Sequence, residues 1–142
     1  MTEPTVRYET PADGVARIVL ARADKHNAIN PQMIYDVNAA FDRAVRDESV
    51  MVIILGADGR NFSAGHDIAD TVADYQAATQ ANAPGVSTWS DFTEEYVQRW
   101  YAAEKETYLE SARRWRKLPK PTICAVQGKC IAGALIFAWV CD

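Results

Sequence analysis

Two stretches of this 142-residue chain combine small residues with sharp changes of chain direction, which is what chemistry done by the backbone requires. The first is Phe62-Ser63-Ala64-Gly65-His66-Asp67-Ile68; the second is Gln127-Gly128-Lys129-Cys130-Ile131-Ala132-Gly133-Ala134. Each follows an apolar run that reads as a strand, and each reads as leading into a helix. Small residues let a ligand come close to the main chain. The first N–H groups of a helix have no partner inside it, so they favour negative charge. Two such groups converging on one point make an oxyanion hole, which stabilises charge developing on a carbonyl oxygen. A single glycine-rich turn more often serves packing, so the reading depends on there being two. Neither turn is a phosphate-binding P-loop, because the Lys-Ser/Thr ending is absent. Neither is a dinucleotide fingerprint, because the middle glycine between Gly128 and Gly133 is missing.

The elements that must position these turns follow from pattern. Val6–Glu9 and Val15–Leu20 read as strands around the turn Pro11-Ala12-Asp13-Gly14. Asn30-Pro31 supplies a helix cap and a first helical residue, and the helix runs to about Arg46. Met33, Ile34, Val37, Phe41 and Val45 recur along it at helical spacing and form its apolar face. Met51–Leu55 reads as a strand covered on both faces, followed by a glycine-punctuated loop to Gly65 and a short helix from Asp67. The stretch around Asn82-Ala83-Pro84-Gly85 is expected to form a mobile loop or lid. Asp91–Lys117 is expected to be one long surface helix, stopped by Pro119 and Pro121. Thr122–Val126 reads as a second buried strand and Ala132–Cys141 as a buried helix. The order β-β-α-β-α-α-β-α implies an α/β domain with mostly parallel pairing and helical crossovers.

Composition sets the outer limits. The chain is 49% hydrophobic and 24% charged, as ordinary globular proteins are. A net charge of −4 disfavours nucleic acid and anionic membranes as partners, since both need a basic field. No early segment reads as a signal peptide, and Ile131–Cys141 is too short to cross a bilayer. Cys124, Cys130 and Cys141 match no zinc spacing and sit in apolar segments, consistent with reduced thiols and a cytoplasmic location.

Taken together and in order, several segments resemble the crotonase superfamily, the enoyl-CoA hydratase/isomerase family. They are Asp24-Lys25-His26-Asn27-Ala28-Ile29-Asn30, Phe62–Ile68, Pro119-Lys120-Pro121-Thr122, Val126-Gln127-Gly128 leading to Gly133, and Cys141-Asp142. The resemblance implies an α/β crotonase-like (ClpP/crotonase) ββα-superhelix fold made of stacked sheets with helices outside. It implies an acyl-coenzyme A thioester as substrate, with no metal or redox cofactor. The backbone N–H groups of His66 and Gly133 are expected to hold the enolate oxygen. Lys25, His26, Ala28, Ala64, His66, Asp67, Ile68 and Gly133 are expected to line the coenzyme A and acyl site. The imidazole of His66 titrates in a useful range, but at this position the family contributes only the backbone, so a base role for the ring is not expected. Asp67 is expected to be a helix-start residue.

The chain also departs from the family pattern. Hydratases carry a glutamate three residues beyond the second oxyanion-hole glycine, and here that position is Ile136. The second acid/base of the family would fall beyond Asp142. A carboxylate from the region after Asp70, such as Asp91, Glu94 or Glu95, is a conceivable replacement, although charges there more often form a solvated helix face. Tyr75, Trp89, Phe92, Tyr96, Trp100 and Tyr101 could line an acyl pocket, with plain packing the more ordinary role. The sequence reads as stopping before such a fold is complete, without the helices that build homotrimers or dimers of trimers. The leading expectation is thioester enolate chemistry, as hydratase, isomerase or related lyase. The alternatives are a non-catalytic acyl-coenzyme A binder or an inert fragment.

Overall fold

Asn30 opens the first helix as its residue type dictates: its side-chain oxygen accepts the Met33 N–H at 3.0 Å while Pro31 takes the first helical position. In the computed structural model, which describes residues 4–142, this helix, α1 (Pro31–Arg46), turns Met33, Ile34, Val37, Phe41 and Ala44 into the core. Its C-terminus is closed from far along the chain. The Lys120 ammonium donates to the carbonyls of Ala44 and Asp47 at 2.8 and 2.6 Å, where the helix dipole is negative.

The sheet contains β1 (Val6–Ala12), β2 (Val15–Leu20), β3 (Val52–Ala57) and β4 (Thr122–Cys124), in that spatial order. β1 and β2 form an antiparallel hairpin, and β2–β3 and β3–β4 are parallel. Val15 faces Val52, and Ile53 faces Thr122. The parallel register brings the carboxyl ends of β3 and β4 to the same edge, so the two glycine-bearing turns leave the sheet side by side.

Burial alternates along β3. Ile53 and Leu55 are inaccessible, whereas Val52 and Ile54 are only partly covered and Met51 lies outside the strand, 70% exposed. In β4, Ile123 is 53% exposed. The expectation of strands covered on both faces therefore holds for one face, the one packed on α1. α5 (Ala134–Trp139) likewise buries Ala134 and Phe137 but leaves Trp139 exposed, so it is amphipathic rather than buried all round.

The helical region differs from its expectation in two places. The helix expected from Asp67 begins instead at Val72, as α2 (Val72–Ala81). Thr71 and Asp74 explain the shift, since their side chains bond reciprocally to each other's backbone as a capping box. The helix expected from Asp91 begins at Tyr96 and is not uniform. α3 (Tyr96–Glu104) passes through a π-helical turn at Lys105–Glu110 into α4 (Ser111–Trp115). Upstream, Ser90 and Asp91 accept the N–H groups of Phe92 and Thr93, a local bonding pattern that competes with helix. The Asn82–Gly85 stretch is the turn that closes α2. No helix among the described residues is long and apolar enough to cross a membrane.

Trp115 joins the layers. Its ring lies 5.6 Å from Phe41 of α1 and 5.2 Å, edge-on, from Phe137 of α5. Its indole N–H donates to Asn38 at 3.1 Å. Phe41→Ala removes the α1 partner of Trp115 in this stack and is expected to cost about 3–5 kcal/mol. Urea denaturation checks this; a loss under about 1 kcal/mol would show that the stack does not couple α1 to α4 and α5.

Candidate oxyanion site

The site grows from backbone pairing outside the main sheet. Phe62 and Ser63 N–H groups donate to the carbonyls of Gln127 and Lys129 at 2.8 and 3.1 Å, and Ile131 N–H returns a bond to Ser63 at 3.1 Å. On the other side of the same segment, Ala64 N–H donates to His26 at 2.9 Å and Ile29 N–H to Gly65 at 2.7 Å. Asp67 N–H closes this second ladder on Ile29 at 2.8 Å. The three segments around residues 26–29, 62–67 and 127–131 thus form a small ladder made of isolated bridges, in place of a full second sheet.

Two glycines allow the close approach. At Gly65 (φ +88°) a Cβ would stand 2.6 Å from the Ile131 carbonyl oxygen. At Gly128 (φ +58°) a Cβ would meet the Arg60 carbonyl oxygen in hard overlap. Both positions need a left-handed backbone and the absence of a side chain. Ser63, fully buried, locks the turn by donating to the Asn27 carbonyl at 2.6 Å and accepting the Gly65 N–H at 3.1 Å.

The result is that Gly133 and His66 come together. A Cβ on Gly133 would lie 3.9 Å from the His66 amide nitrogen and 3.5 Å from Cε1 of Tyr108. The bridge between Ile29 and His66 uses the groups of Gly65 and Asp67, which turns the His66 N–H away from it. Neither the His66 nor the Gly133 N–H donates a hydrogen bond among the described residues. At Gly133 the donor stands at the start of α5; at His66 no helix begins, contrary to the expectation for the first turn. The His66 ring stacks on Tyr108 at 5.7 Å and on Tyr75 at 6.4 Å.

The other expected site residues fall into distinct places. His26 and Ala64 are exposed and paired through their backbones, and Ala28 is half-buried, its carbonyl accepting Arg22 at 2.6 Å. Asp67 is a buried partner of Arg22 at 2.9 Å and also accepts the Ala69 N–H, so it orders a turn rather than starting a helix. Ile68 stands out into solvent, 95% exposed. Lys25 ends a 3-10 turn (Ala23–Lys25) and lines a separate hollow of about 810 Å³ with Asp24, Asp36, Asp70 and Asp74. Burial and the nearby charge of Asp67 push the Asp70 carboxyl above its ordinary value there.

Two residues shape the site beyond those expected to line it one by one: Asn27, which lies within the Asp24–Asn30 segment, and Tyr108. Asn27, fully buried at φ +51°, accepts the Arg22 N–H and donates to the carbonyls of Asp58 and Asn61. Asparagine tolerates the left-handed region, and its position before an apolar residue in a polar stretch was the available signal. Tyr108 covers the Gly133 side of the site, and its buried hydroxyl has no partner among the described residues. Burial pushes that hydroxyl well above the ordinary tyrosine range. Of the aromatics expected to pack or line a pocket, Tyr75 and Phe92 form a small cluster with Ala103, while Trp89, Tyr96 and Tyr101 are exposed.

Comparison with known proteins settles the family: residues 10–94 match the enoyl-CoA hydratase/isomerase family model. The chain belongs to that family. It is 36% identical over 96% of its length to EchA13 of Mycobacterium tuberculosis, assigned as an enoyl-CoA hydratase, and covers 43% of that protein. It is 31% identical to the 1,2-epoxyphenylacetyl-CoA isomerase of Escherichia coli K12, over 81% of this chain and 37% of that one. A crystal structure from Mycobacterium thermoresistibile, also assigned as an enoyl-CoA hydratase, superposes with a TM-score of 0.76 at 38% identity. That match covers 99% of this chain and 48% of the other. The fold is therefore crotonase-like, and the chain spans less than half the length of the curated relatives it matches.

Ala132 holds a left-handed backbone, φ +48°, next to Gly133, which costs an L-residue roughly 1–2 kcal/mol. Ala132→Gly is expected to raise stability by about 0.5–1 kcal/mol once the greater freedom of the unfolded chain is counted. Gly65→Ala is expected to lower it by roughly 3 kcal/mol, from strain and overlap together. Chemical denaturation of the two variants measures both, and an Ala132→Gly loss would contradict the strained geometry.

Proposed function

We propose that this chain carries the oxyanion-hole half of an enzyme acting on acyl-coenzyme A thioesters through an enolate. The observation that supports it is a pair of backbone donors, His66 N–H and Gly133 N–H, without hydrogen-bond partners among the described residues and brought beside one another by the ladder around Ser63. A thioester carbonyl placed between them would be polarised. Loss of a proton from the adjacent carbon would then put charge on an oxygen already facing two preorganised dipoles. No metal or redox group is needed for that step. The segments Lys25–Ala28 and Ala64–Ile68 are the proposed bed for the coenzyme A portion. Membership of the enoyl-CoA hydratase/isomerase family supports the substrate class. A homotrimer, or a dimer of trimers, is the assembly proposed for the whole protein.

A second reading is favoured by one residue. Ile136 occupies the position where hydratases carry a glutamate, and an isoleucine cannot move a proton. Thioester binding without turnover is the outcome that reading entails.

Butyryl-coenzyme A in D₂O discriminates between them. Enolate formation is expected to exchange the protons next to the carbonyl for deuterium, visible by NMR; binding with no exchange would leave only the second reading. Gly133→Ala puts a methyl into ordinary contact distance of Tyr108 and His66, so folding is expected to be unaffected to within about 0.5 kcal/mol. The methyl fills the space above the His66 N–H, and exchange is expected to fall about 10²–10³-fold, the loss typical of one oxyanion donor. Ile136→Glu is expected to confer hydration of crotonyl-coenzyme A, followed by loss of the enoyl absorbance, if the rest of the pocket is competent.

A further inference from the structure

The proposed enolate chemistry needs a group to take and return the proton, and Ile136 cannot supply it. Of the acids beyond Asp70 first considered for that role, Asp91, Glu94 and Glu95 are exposed. Asp91 is held by Thr93 and Glu94 by Ser90 in local turns. Glu106 is fully buried, but its carboxylate is consumed by the N–H groups of Val86, Ser87 and Thr88. Asp67 is committed to Arg22.

Glu104 is differently placed. It lines an open apolar hollow of about 430 Å³ together with Tyr101, Lys105, Tyr108, Leu109 and Ile136, and is the one acid among the described residues lining it. It stands at the end of α3, where the helix passes into its π turn, four residues before Tyr108. Tyr108 in turn touches the space above Gly133 and stacks on His66. One carboxylate oxygen of Glu104 accepts the Tyr75 hydroxyl at 3.2 Å, and the Tyr75 ring also stacks on His66. Tyr75 is further fixed by Thr107 at 3.0 Å and by the Trp100 ring at 4.8 Å. Of the two carboxylate oxygens, one is thus oriented by a buried phenol and the other has no hydrogen-bond partner among the described residues.

We infer that Glu104, which lines the same hollow as Ile136, is a proton-transfer residue of this protein and takes over the role of the glutamate absent at position 136. The inference rests on the enolate reading above and names its base. The step balances with one carboxylate. Glu104 takes a proton from C2 of a 3-enoyl thioester, and the C2–H electron pair passes into the enolate held by His66 and Gly133. The same proton is returned to C4, the enolate collapses, and the double bond moves from C3=C4 to C2=C3. Nothing is gained or lost, so a single acid/base suits isomerisation better than hydration. Tyr75 is a positioning residue in this scheme.

The test uses the full chain with 3-hexenoyl-coenzyme A for isomerisation and butyryl-coenzyme A for deuterium exchange. Glu104→Gln keeps an acceptor for Tyr75 and is expected to slow both reactions at least about a hundredfold, with thioester affinity by calorimetry unchanged. Glu104→Ala is expected to lose both and to recover exchange when formate is added, which a merely structural residue would not do. Asp91→Asn is expected to react as the parent does. Exchange by Glu104→Gln at the parent rate would overturn the assignment while leaving the oxyanion hole intact. Failure of rescue in a Glu104→Ala protein that still binds thioester would also count against it. Absence of exchange in the parent protein would remove the enolate reading and the Glu104 assignment together.

Discussion

The structure depends on one close contact: the turn after β3 and the turn after β4 meet backbone against backbone at Gly65 and Gly128. Gly65 sits under the Ile131 carbonyl and Gly128 under that of Arg60. Backbones can approach this far only where Cβ is absent, and the approach lets Phe62, Ser63 and Ile131 exchange hydrogen bonds with the facing chain. The relative placement of the His66 and Gly133 donors then follows from main-chain geometry, with no flexible side chain in the path. Preorganisation of this kind is what makes a dipole effective toward charge that develops only in a transition state. Widening the gap by a single methyl would separate the donors by a distance comparable to the tolerance of a catalytic site.

Buried polar side chains hold the third segment to these two. Asn27, itself fully buried, bonds Arg22, Asp58 and Asn61 in part-buried contacts, and Ser63 bonds Asn27 and Gly65 in buried ones. Each such bond contributes only about 0.5–1.5 kcal/mol net, whereas leaving a partner unmet costs about 1–3 kcal/mol. Specificity of the turn is therefore the larger consequence: few other backbone arrangements satisfy all of these groups at once. The same logic operates in the helical region, where the Glu106 carboxylate collects three consecutive N–H groups of the Val86–Thr88 loop. That loop is thereby tied to the π turn, and the turn re-aims Glu104 and Tyr108 relative to a continuous α-helix.

Much of this was legible from residue types. Asn30-Pro31 announces α1, and its apolar spacing predicts the buried face that Met33, Val37 and Phe41 form. The β-branched runs identify β2 and β3, and the two glycine-bearing turns stand out before any fold is known. The remainder depends on partners distant in sequence. No local pattern tells Lys120 that it will close α1, or Asp67 that its counter-charge is Arg22 rather than a helix end. Partial exposure of β4 and α5 escaped pattern reading because an apolar run looks the same whether one face or both are covered. The π turn is invisible for a related reason, since a single extra residue in a helical turn leaves the composition of the helix unchanged.

Among proteins of this fold the two kinds of functional group obey different constraints. A backbone N–H is supplied by every residue except proline, so a hole built from main-chain donors, as proposed above, constrains side chains only where they would distort the turn or cover the donors. A carboxylate is tied to one side chain, yet a proton donor needs only to reach the reacting carbon, and the hollow lined by Ile136 is also lined by residues of α3, the π turn and α4. In the proposed scheme the acid absent from α5 at Ile136 is therefore replaced from α3 without disturbing the backbone donors. Relatives assigned as hydratase and as isomerase both match this chain. What the replacement requires is a support that orients the new acid, and at Glu104 the buried Tyr75 hydroxyl, itself held by Thr107 and Trp100, meets that requirement.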